Sequence, residues 1–126
     1  MTHTVLIVDD SKLARIVVGK AITAIQPDWQ KVEASNADEA EALLQREAVD
    51  LAILDFNMPG RNGLELAELI RKQFKDMPIA LATANVQDEI IAQARAINAT
   101  FVPKPITEDG LRGFLSGAAL KLRPRG

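Results

Sequence analysis

Three aspartates, one threonine and one lysine have residue types that could do phosphoryl chemistry at a bound cation. Asp9 and Asp10 are adjacent in THTVLIVDDSKLAR, and Asp55 stands in AILDFNMPG. Thr83 belongs to ALATAN and Lys104 to FVPKP. Each of them comes where an apolar run ends. Because two acids at a helix start can simply complement the helix dipole, their meaning depends on whether the fold brings all five residues together.

Short apolar runs alternate along the chain with segments of 3.6-residue spacing, which predicts strands and helices in strict alternation. Ser11 and Asn36 stand where helix N-caps belong, and PGRNG and DMP act as breakers. The alternation predicts one α/β domain over residues 1–126, with a core of about 4–122, a parallel sheet and helices on both faces. The predicted strands are Thr4–Val8, Gln30–Ala34, Leu51–Leu54, Pro78–Ala82 and Thr100–Pro103.

The carboxyl ends of parallel strands meet at one edge of a sheet, where ligands bind. The topology therefore predicts that the three carboxylates, the hydroxyl and the ammonium converge. At about 4 Å, two carboxylates repel by roughly 1 kcal/mol in water and about 4 kcal/mol at an effective dielectric constant near 20. One lysine cannot neutralise three acids, whereas a divalent cation could.

Oxygen ligands favour Mg²⁺ over zinc at this predicted edge. A carboxylate held beside Mg²⁺ can attack a phosphoryl group and become an aspartyl phosphate. The metal, Lys104 and Thr83 would then stabilise the phosphoryl oxygens. The sequence therefore predicts a cation pocket at Asp9 and Asp10 next to a nucleophilic Asp55.

Composition excludes several other classes of protein. The 126 residues carry a net charge of −2, no cysteine and a single histidine, so disulfides are absent and a zinc site is disfavoured. Neither the charge nor any apolar stretch indicates nucleic-acid binding or a membrane span. The N-terminus lacks a signal-peptide pattern. A reducing cytoplasm is the expected location.

Some residues are interpreted as structural. His3 is placed near a frayed end, Trp29 is interpreted as an apolar cover for the sheet edge, and the glycines of PGRNG are interpreted as turn residues. The tail, with Lys121, Arg123 and Arg125, is expected to be solvated. One stripe of helical spacing in the first helix is predicted to face the core, and it consists of Leu13, Ile16, Val17, Ala21 and Ala24.

Four motifs follow one another at the ends of predicted strands: VDDS at 8–11, LDFNMPGRNG at 54–63, TA at 83–84 and KP at 104–105. With them the chain resembles, over essentially its whole length, a receiver domain of a two-component response regulator. It is most similar to the single-domain subgroup, which includes the chemotaxis response regulator. The resemblance implies a flavodoxin-like, doubly wound sheet of five parallel strands in the order 2-1-3-4-5, with five helices.

The resemblance also implies roles for the acidic residues. Asp55 would accept a phosphoryl group from a histidine kinase or histidine phosphotransfer protein. Asp10 and Asp55 would ligate Mg²⁺ directly, Asp9 mostly through water, and Asn57 through its backbone carbonyl, and Mn²⁺ could substitute. Lys104 would bind a phosphoryl oxygen.

A conformational switch is implied as well. Thr83 would swing toward the phosphoryl group and Phe101 would change rotamer in step, which reshapes the surface of helix 4, strand 5 and helix 5. Phe101 has no hydroxyl to bond outward. The Lys104–Pro105 peptide would be cis, a state that proline makes accessible, and Pro103 requires its strand to lie at an edge.

Two amides and the start of the first helix have further implied roles. Asn57 and Asn85 flank the site, where side chains influence access of water to the phosphoryl group. Lys12, Ala14 and Arg15 are candidates for contacting the donor.

Other functions are alternatives to a receiver domain. A phosphatase acting through an aspartyl phosphate needs a second acid where Asn57 stands. A nucleotide- or flavin-binding module needs a phosphate-cradling loop, and DDSKLA would repel phosphate without Mg²⁺. A phosphorelay intermediate and a phosphate-independent interaction module stay open. The expected protein is not a conventional enzyme, binds neither nucleic acid nor membrane, is a monomer or phosphorylation-dependent dimer, and has an unknown downstream target.

Overall fold

The computed structural model describes residues 3–84 and 87–122. Strands and helices alternate, and all strand pairs are parallel in one sheet of order β2-β1-β3-β4-β5, as predicted. No helix in these two ranges is long and apolar enough to cross a membrane. The elements are β1 Thr4–Val8, α1 Lys12–Ile25, β2 Gln30–Ala34, α2 Ala37–Arg46, β3 Leu51–Asp55, α3 Gly63–Gln73, β4 Ile79–Thr83, α4 Asp88–Ala96, β5 Ala99–Pro103 and α5 Glu108–Lys121.

Four strand boundaries, in β3, β4 and β5, differ from the prediction by one residue. β3 extends to Asp55, which pairs in register with Ala82. β4 begins after Pro78, because proline has no amide to donate to the ladder, although the Pro78 carbonyl accepts from the Ala52 amide at 3.0 Å. β5 begins at Ala99, in register with the first residue of β4. Asp55 and Thr83 are therefore the last residues of strands.

Both faces of the sheet are covered, which explains the nearly continuous apolar runs of the central strands. Successive residues of β1 point to opposite faces. Leu6 belongs to the core on the side of α2, α3 and α4, whereas Ile7 belongs to the core on the side of α1 and α5. β3 and β4 are buried at every position. A sheet filled on both faces leaves its carboxyl edge as the place where polar groups can gather.

Side-chain caps determine where the helices of the carboxyl edge begin. Ser11 accepts from the Ala14 amide at 3.2 Å and caps α1, which begins at Lys12, two residues after Asp10. Asn36 caps α2, so both predicted caps are confirmed. Asn62 and Glu65 form a capping box at α3, which closes the loop that follows Asp55. The turns beside the acidic residues are therefore held by local hydrogen bonds.

The predicted stripe of α1 is wrong for most of its members. Leu13 is 71% exposed, Ile16 42% and Val17 46%, and Ala24 is also exposed. The face that packs on the sheet and α5 is formed by Val18, Gly19, Ala21 and Ile22. Since α1 carries apolar residues around more than one face, periodicity alone does not tell which face a single packing partner covers.

The amino ends of the strands also hold a polar group that is buried. His3 was expected near a frayed end, but it is buried, with its ring edge-on to Trp29 at 5.2 Å between centroids. Its Nδ1 lies 3.8 Å from Oδ2 of Asp50, and that oxygen accepts from the Thr4 amide at 2.8 Å. We call His3, Trp29 and Asp50 the amino-end cluster. Trp29 is buried before the edge strand β2, in agreement with its predicted covering role.

Candidate functional site

Three carboxylates lie together at the carboxyl edge of the sheet. Asp9 and Asp10 follow β1, and Asp55 ends the neighbouring β3, where Val8 and Leu54 are in register. Each acid offers an oxygen within 4.8 Å of the oxygens of the other two. Asp9 and Asp55 are both 4% exposed, whereas Asp10 is open to solvent. The structure therefore brings the predicted acids to one point that solvent reaches from the side of Asp10.

Lys104 joins this group from the far side of β4. It follows the edge strand β5, and its Nζ lies 2.7 Å from Oδ1 of Asp55 and 3.4 Å from Oδ2 of Asp9. The Lys104 amide donates to the Thr83 carbonyl at 3.0 Å, which holds the lysine backbone against β4. The Lys104–Pro105 peptide is cis, as the resemblance implied. We call Asp9, Asp10, Asp55 and Lys104 the carboxyl-end cluster.

The charges in this cluster do not balance. Burial raises the pKa of Asp55, and the nearby Asp9 carboxylate raises it further, against the lowering effect of Lys104. Burial lowers the pKa of Lys104, but its contacts with Asp55 and Asp9 outweigh that and raise it, so the ammonium keeps its proton. Three carboxylates facing one ammonium leave an excess of negative charge. A buried acid with a purely structural role is instead expected to be satisfied by hydrogen-bond donors, without further acids beside it.

The donor set fits a hard divalent cation. Every acid of the carboxyl-end cluster offers oxygen, and two of the acids come from consecutive residues, so they can lie on one side of an ion. The Asn57 amide lies 3.4 Å from Oδ1 of Asp55, which places that residue beside the cluster. The excess negative charge is of the sign and size that Mg²⁺ would offset. Ligation by the Asn57 carbonyl stays a prediction.

Thr83 and Phe101 occupy the strands that lead to this edge. Thr83 is completely buried and lies one residue beyond Ala82, the register partner of Asp55. Phe101 is half-buried on β5, opposite Leu81. Pro103 lies in the edge strand, where its missing amide is tolerated, as predicted. The coupled motion of Thr83 and Phe101 stays a prediction. Asn85, Arg123 and Arg125 lie outside the described residues.

Gly63 supports the site through a close backbone contact that the sequence did not indicate. A Cβ at this position would lie 2.2 Å from the Asp55 carbonyl oxygen and 2.9 Å from a methyl of Leu81. The Gly63 amide donates to the Phe56 carbonyl at 2.9 Å. The first turn of α3 therefore packs directly on the backbone of Asp55. The interpretation of the PGRNG glycines as turn residues alone is wrong for Gly63, and only the three-dimensional approach of loop and strand reveals it.

An apolar surface adjoins the carboxyl-end cluster. Leu13 and Val17 of α1 line a groove of about 420 Å³ together with Ile106, and Asp9 and Lys104 lie at the same groove. Of the predicted donor-contact residues, Lys12 is exposed, whereas Ala14 and Arg15 are only half-exposed. We call Leu13, Ile16 and Val17 the α1 apolar face. In the sequence, this face was indicated by apolar residues that cover more of the α1 surface than one buried stripe needs.

The chain matches the family model of the response regulator receiver domain over residues 5–116. It is 35% identical to a chemotaxis protein CheY homolog of Campylobacter jejuni over 111 residues, which are 85% of each chain. It is 37% identical to the cyclic di-GMP phosphodiesterase response regulator RpfG of Xanthomonas campestris, spanning 94% of this chain and 32% of that protein.

Solved structures show the same fold. The chemotaxis protein CheY4 of Vibrio cholerae superposes with a TM-score of 0.84 at 29% identity, covering 94% of this chain and 99% of that one. The response regulator TrrA of Thermotoga maritima, solved in complex with Mg²⁺-BeF, superposes with a TM-score of 0.80 at 30% identity, covering 92% and 98%.

Proposed function

This chain belongs to the response regulator receiver domain family, and on that premise we propose that it is a phosphorylation-controlled switch whose Asp55 accepts the phosphoryl group. Receiver domains are signalling switches of two-component systems and not conventional enzymes. One observation carries the proposal: the Asp55 carboxylate lies 2.7 Å from the Lys104 ammonium and within 4.8 Å of two further acids. We propose that residues 1–126 form a single receiver domain with a core of about 4–122.

The acidic residues prepare the nucleophile. Asp10 and Asp55 would hold Mg²⁺ directly, with Asp9 acting through water and Asn57 through its carbonyl, and Mn²⁺ would be accepted by the same oxygens. Bound Mg²⁺ would supply positive charge that attracts the phosphoryl oxygens. An oxygen of Asp55 attacks the phosphorus of a phosphohistidine, the P–N bond breaks, and the imidazole leaves with the electron pair of that bond.

Lys104 and Thr83 stabilise the phosphoryl group. The Lys104 ammonium, already 2.7 Å from Asp55, moves with little displacement onto a phosphoryl oxygen. Thr83 ends the neighbouring strand and would donate its hydroxyl to another oxygen. As it does so, Phe101 would take a new rotamer, and the surface formed by α4, β5 and α5 would change. That surface would then select the downstream target.

The donor would dock beside the site. A histidine kinase or histidine phosphotransfer protein must bring a phosphohistidine to Asp55, and the α1 apolar face borders the groove that leads there. Exposed apolar side chains on a helix fit a helical partner. Docking at this face, with Lys12 at its edge, would take place in the cytoplasm. The named relatives act in chemotaxis and in cyclic di-GMP signalling, so the target of this chain stays open.

The test is transfer from a small donor. The protein is incubated with acetyl phosphate, with and without Mg²⁺, and weighed intact by mass spectrometry. We expect a gain of one phosphoryl mass that requires Mg²⁺ and is absent in Asp55→Asn. Asp50→Asn is the matched control, because Asp50 is also a buried aspartate but lies in the amino-end cluster. It should still gain the phosphoryl mass, and circular dichroism checks that both variants are folded.

Two results would contradict the proposal. If wild type gains no mass at any Mg²⁺ concentration, the cluster does not accept phosphate, and a phosphate-independent interaction module becomes the better interpretation. If Asp55→Asn gains as much mass as wild type, the acceptor is another residue. Transfer of the phosphoryl group onward to a histidine phosphotransfer protein would instead identify a phosphorelay intermediate.

A further inference from the structure

Arg15 is turned toward the acidic residues and away from solvent. It lies in the first turns of α1, and its side chain is only 15% exposed. Its Nη1 donates to the Asp9 carbonyl at 2.6 Å, and its Nε donates to Oε1 of Glu33 at 2.9 Å. The proposed function assigns no part to these bonds. Two nitrogens of the guanidinium are therefore engaged within the protein, and contact of Arg15 with the donor stays a prediction.

The bond to Asp9 holds the peptide that joins the two acids. β1 ends at Val8, and the Asp9 amide still donates to the Ala34 carbonyl at 3.1 Å. The Asp9 carbonyl lies just beyond the end of the strand, and it accepts its hydrogen bond from Arg15 and not from a neighbouring strand. The orientation of that carbonyl sets the plane of the Asp9–Asp10 peptide, and that plane fixes the position of the Asp10 Cα, from which its side chain extends.

Because Glu33 pairs with Arg15, a geometric role of Arg15 can be distinguished from an electrostatic one. It belongs to β2, in register with Ile7, and its carboxylate pairs with the Nε of Arg15. The charge that Arg15 adds near the acids is thus offset by a carboxylate on its other side. A lysine at position 15 would keep the charge, but it could not reach the Asp9 carbonyl and Glu33 with two arms of one rigid plane.

We propose that Arg15 is a positioning residue for the divalent-cation site: by holding the Asp9 carbonyl, it fixes the Asp9–Asp10 peptide so that both carboxylates face the ion. This inference rests on the proposed function, since it assumes that the carboxyl-end cluster binds Mg²⁺. Residues that orient metal ligands typically change metal affinity by about 10-fold to 100-fold when they are replaced. We therefore expect Arg15→Lys to weaken Mg²⁺ binding about tenfold.

The experiment measures Mg²⁺ affinity directly by titration calorimetry, with Mn²⁺ binding by electron paramagnetic resonance as a second readout. Wild type is compared with Arg15→Lys, Arg15→Gln and the control Arg112→Lys. Arg112 makes the matched exchange on α5, where it pairs with Glu108 and Asp109 of its own helix. Thermal unfolding without Mg²⁺ is recorded for each variant. We expect both Arg15 variants to bind about tenfold more weakly and Arg112→Lys to bind as wild type does.

Each other outcome overturns the inference. If Arg15→Lys changes the unfolding temperature but leaves Mg²⁺ affinity unchanged, Arg15 is a structural residue. If Arg15→Gln binds Mg²⁺ more tightly than wild type, Arg15 acts through charge repulsion and not through position. If wild type binds no Mg²⁺, the inference falls together with the metal site of the proposed function. If wild type binds Mg²⁺ and the Arg15 variants bind it equally well, only this inference fails, and the proposed function stands.

Discussion

The two ends of the sheet each bury an aspartate, and they treat it in opposite ways. Asp50 in the amino-end cluster is 7% exposed and Asp55 in the carboxyl-end cluster is 4% exposed. Asp50 accepts a main-chain amide at 2.8 Å and lies beside His3. Asp55 receives its nearest main-chain amide only at 3.4 Å and faces one lysine and two further acids.

The comparison shows that burial of a carboxylate does not by itself indicate a reactive site. At the amino end one acid has a hydrogen-bond donor and an aromatic neighbourhood, which suits a structural role. At the carboxyl end the protein holds acids near each other with too little positive charge. Such an arrangement destabilises the isolated cluster, and a bound divalent cation would offset the repulsion. Four predictions test this contrast.

The largest effect is expected from Gly63→Ala at the carboxyl end. The added Cβ would lie 2.2 Å from the Asp55 carbonyl oxygen, so α3 or the end of β3 must move. We expect a loss of about 3 kcal/mol or more in the free energy of unfolding, because a backbone clash cannot be relieved by a side-chain rotation. Urea denaturation measures the loss.

The control for that variant is Gly113→Ala. Gly113 lies on an exposed position of α5, where an added Cβ meets no atom within 4 Å. Alanine is favoured over glycine inside a helix by about 1 kcal/mol, so the same exchange should stabilise the protein there. An unchanged stability in Gly63→Ala would show that the carboxyl end is far more adaptable than its geometry indicates.

A smaller loss is expected from Asp50→Ala at the amino end. The variant leaves the Thr4 amide without its acceptor and removes the acid beside His3. Leaving a buried donor unsatisfied costs about 1–3 kcal/mol, and we expect a loss of about 2 kcal/mol in thermal or urea unfolding. Phosphoryl gain from acetyl phosphate should persist. Loss of that gain in a folded Asp50→Ala protein would remove the functional distinction between the two ends.

Asp55→Asn is expected to raise the free energy of unfolding, in contrast to Gly63→Ala and Asp50→Ala. Because burial raises the pKa of Asp55 in the folded state, its contribution to stability is present at low pH and is lost as pH rises through that raised value. Without Mg²⁺, the amide variant should therefore be more stable than wild type at pH 7. Relief of repulsion from nearby carboxylates should amount to about 1 kcal/mol.

That advantage should depend on both pH and metal. It should vanish at pH values below the ordinary aspartate pKa, where the carboxyl is protonated in folded and unfolded chains alike. It should also shrink when Mg²⁺ is added, because only wild type offers the full set of carboxylates. Urea unfolding from pH 3 to pH 7, with and without Mg²⁺, measures both. A destabilised Asp55→Asn at pH 7 would mean that the cluster is already balanced.

The smallest effect is expected in the fluorescence of Trp29. This side chain belongs to the amino-end cluster and contacts the His3 ring, so the whole length of the sheet separates it from Asp55. We expect its emission maximum to stay unchanged when Mg²⁺ and then acetyl phosphate are added, whereas Asp50→Ala should shift it. A shift on phosphorylation would show that the two ends are coupled through the sheet.

Much of this arrangement was predictable because it depends on order along the chain. Alternating strands and helices imply a parallel sheet, and strand ends then place Asp9, Asp55 and Lys104 at one edge. The residues that the sequence did not reveal act through contacts between distant segments. Gly63 matters because of the distance to a neighbouring strand, and Arg15 because its side chain turns toward Asp9. The exposure of Leu13 follows from which face α5 covers.

The separation of Asp9 and Lys104 along the chain has a consequence during synthesis. Their side chains meet at 3.4 Å although the two residues are 95 positions apart in the sequence. A ribosome-bound chain that has not yet released β5 therefore carries acids without their ammonium. Contacts of such long sequence separation form late, because loop closure must precede them. If the proposed function holds, an unfinished chain would thus lack the ammonium that the phosphoryl group needs, and only completely folded molecules would accept it.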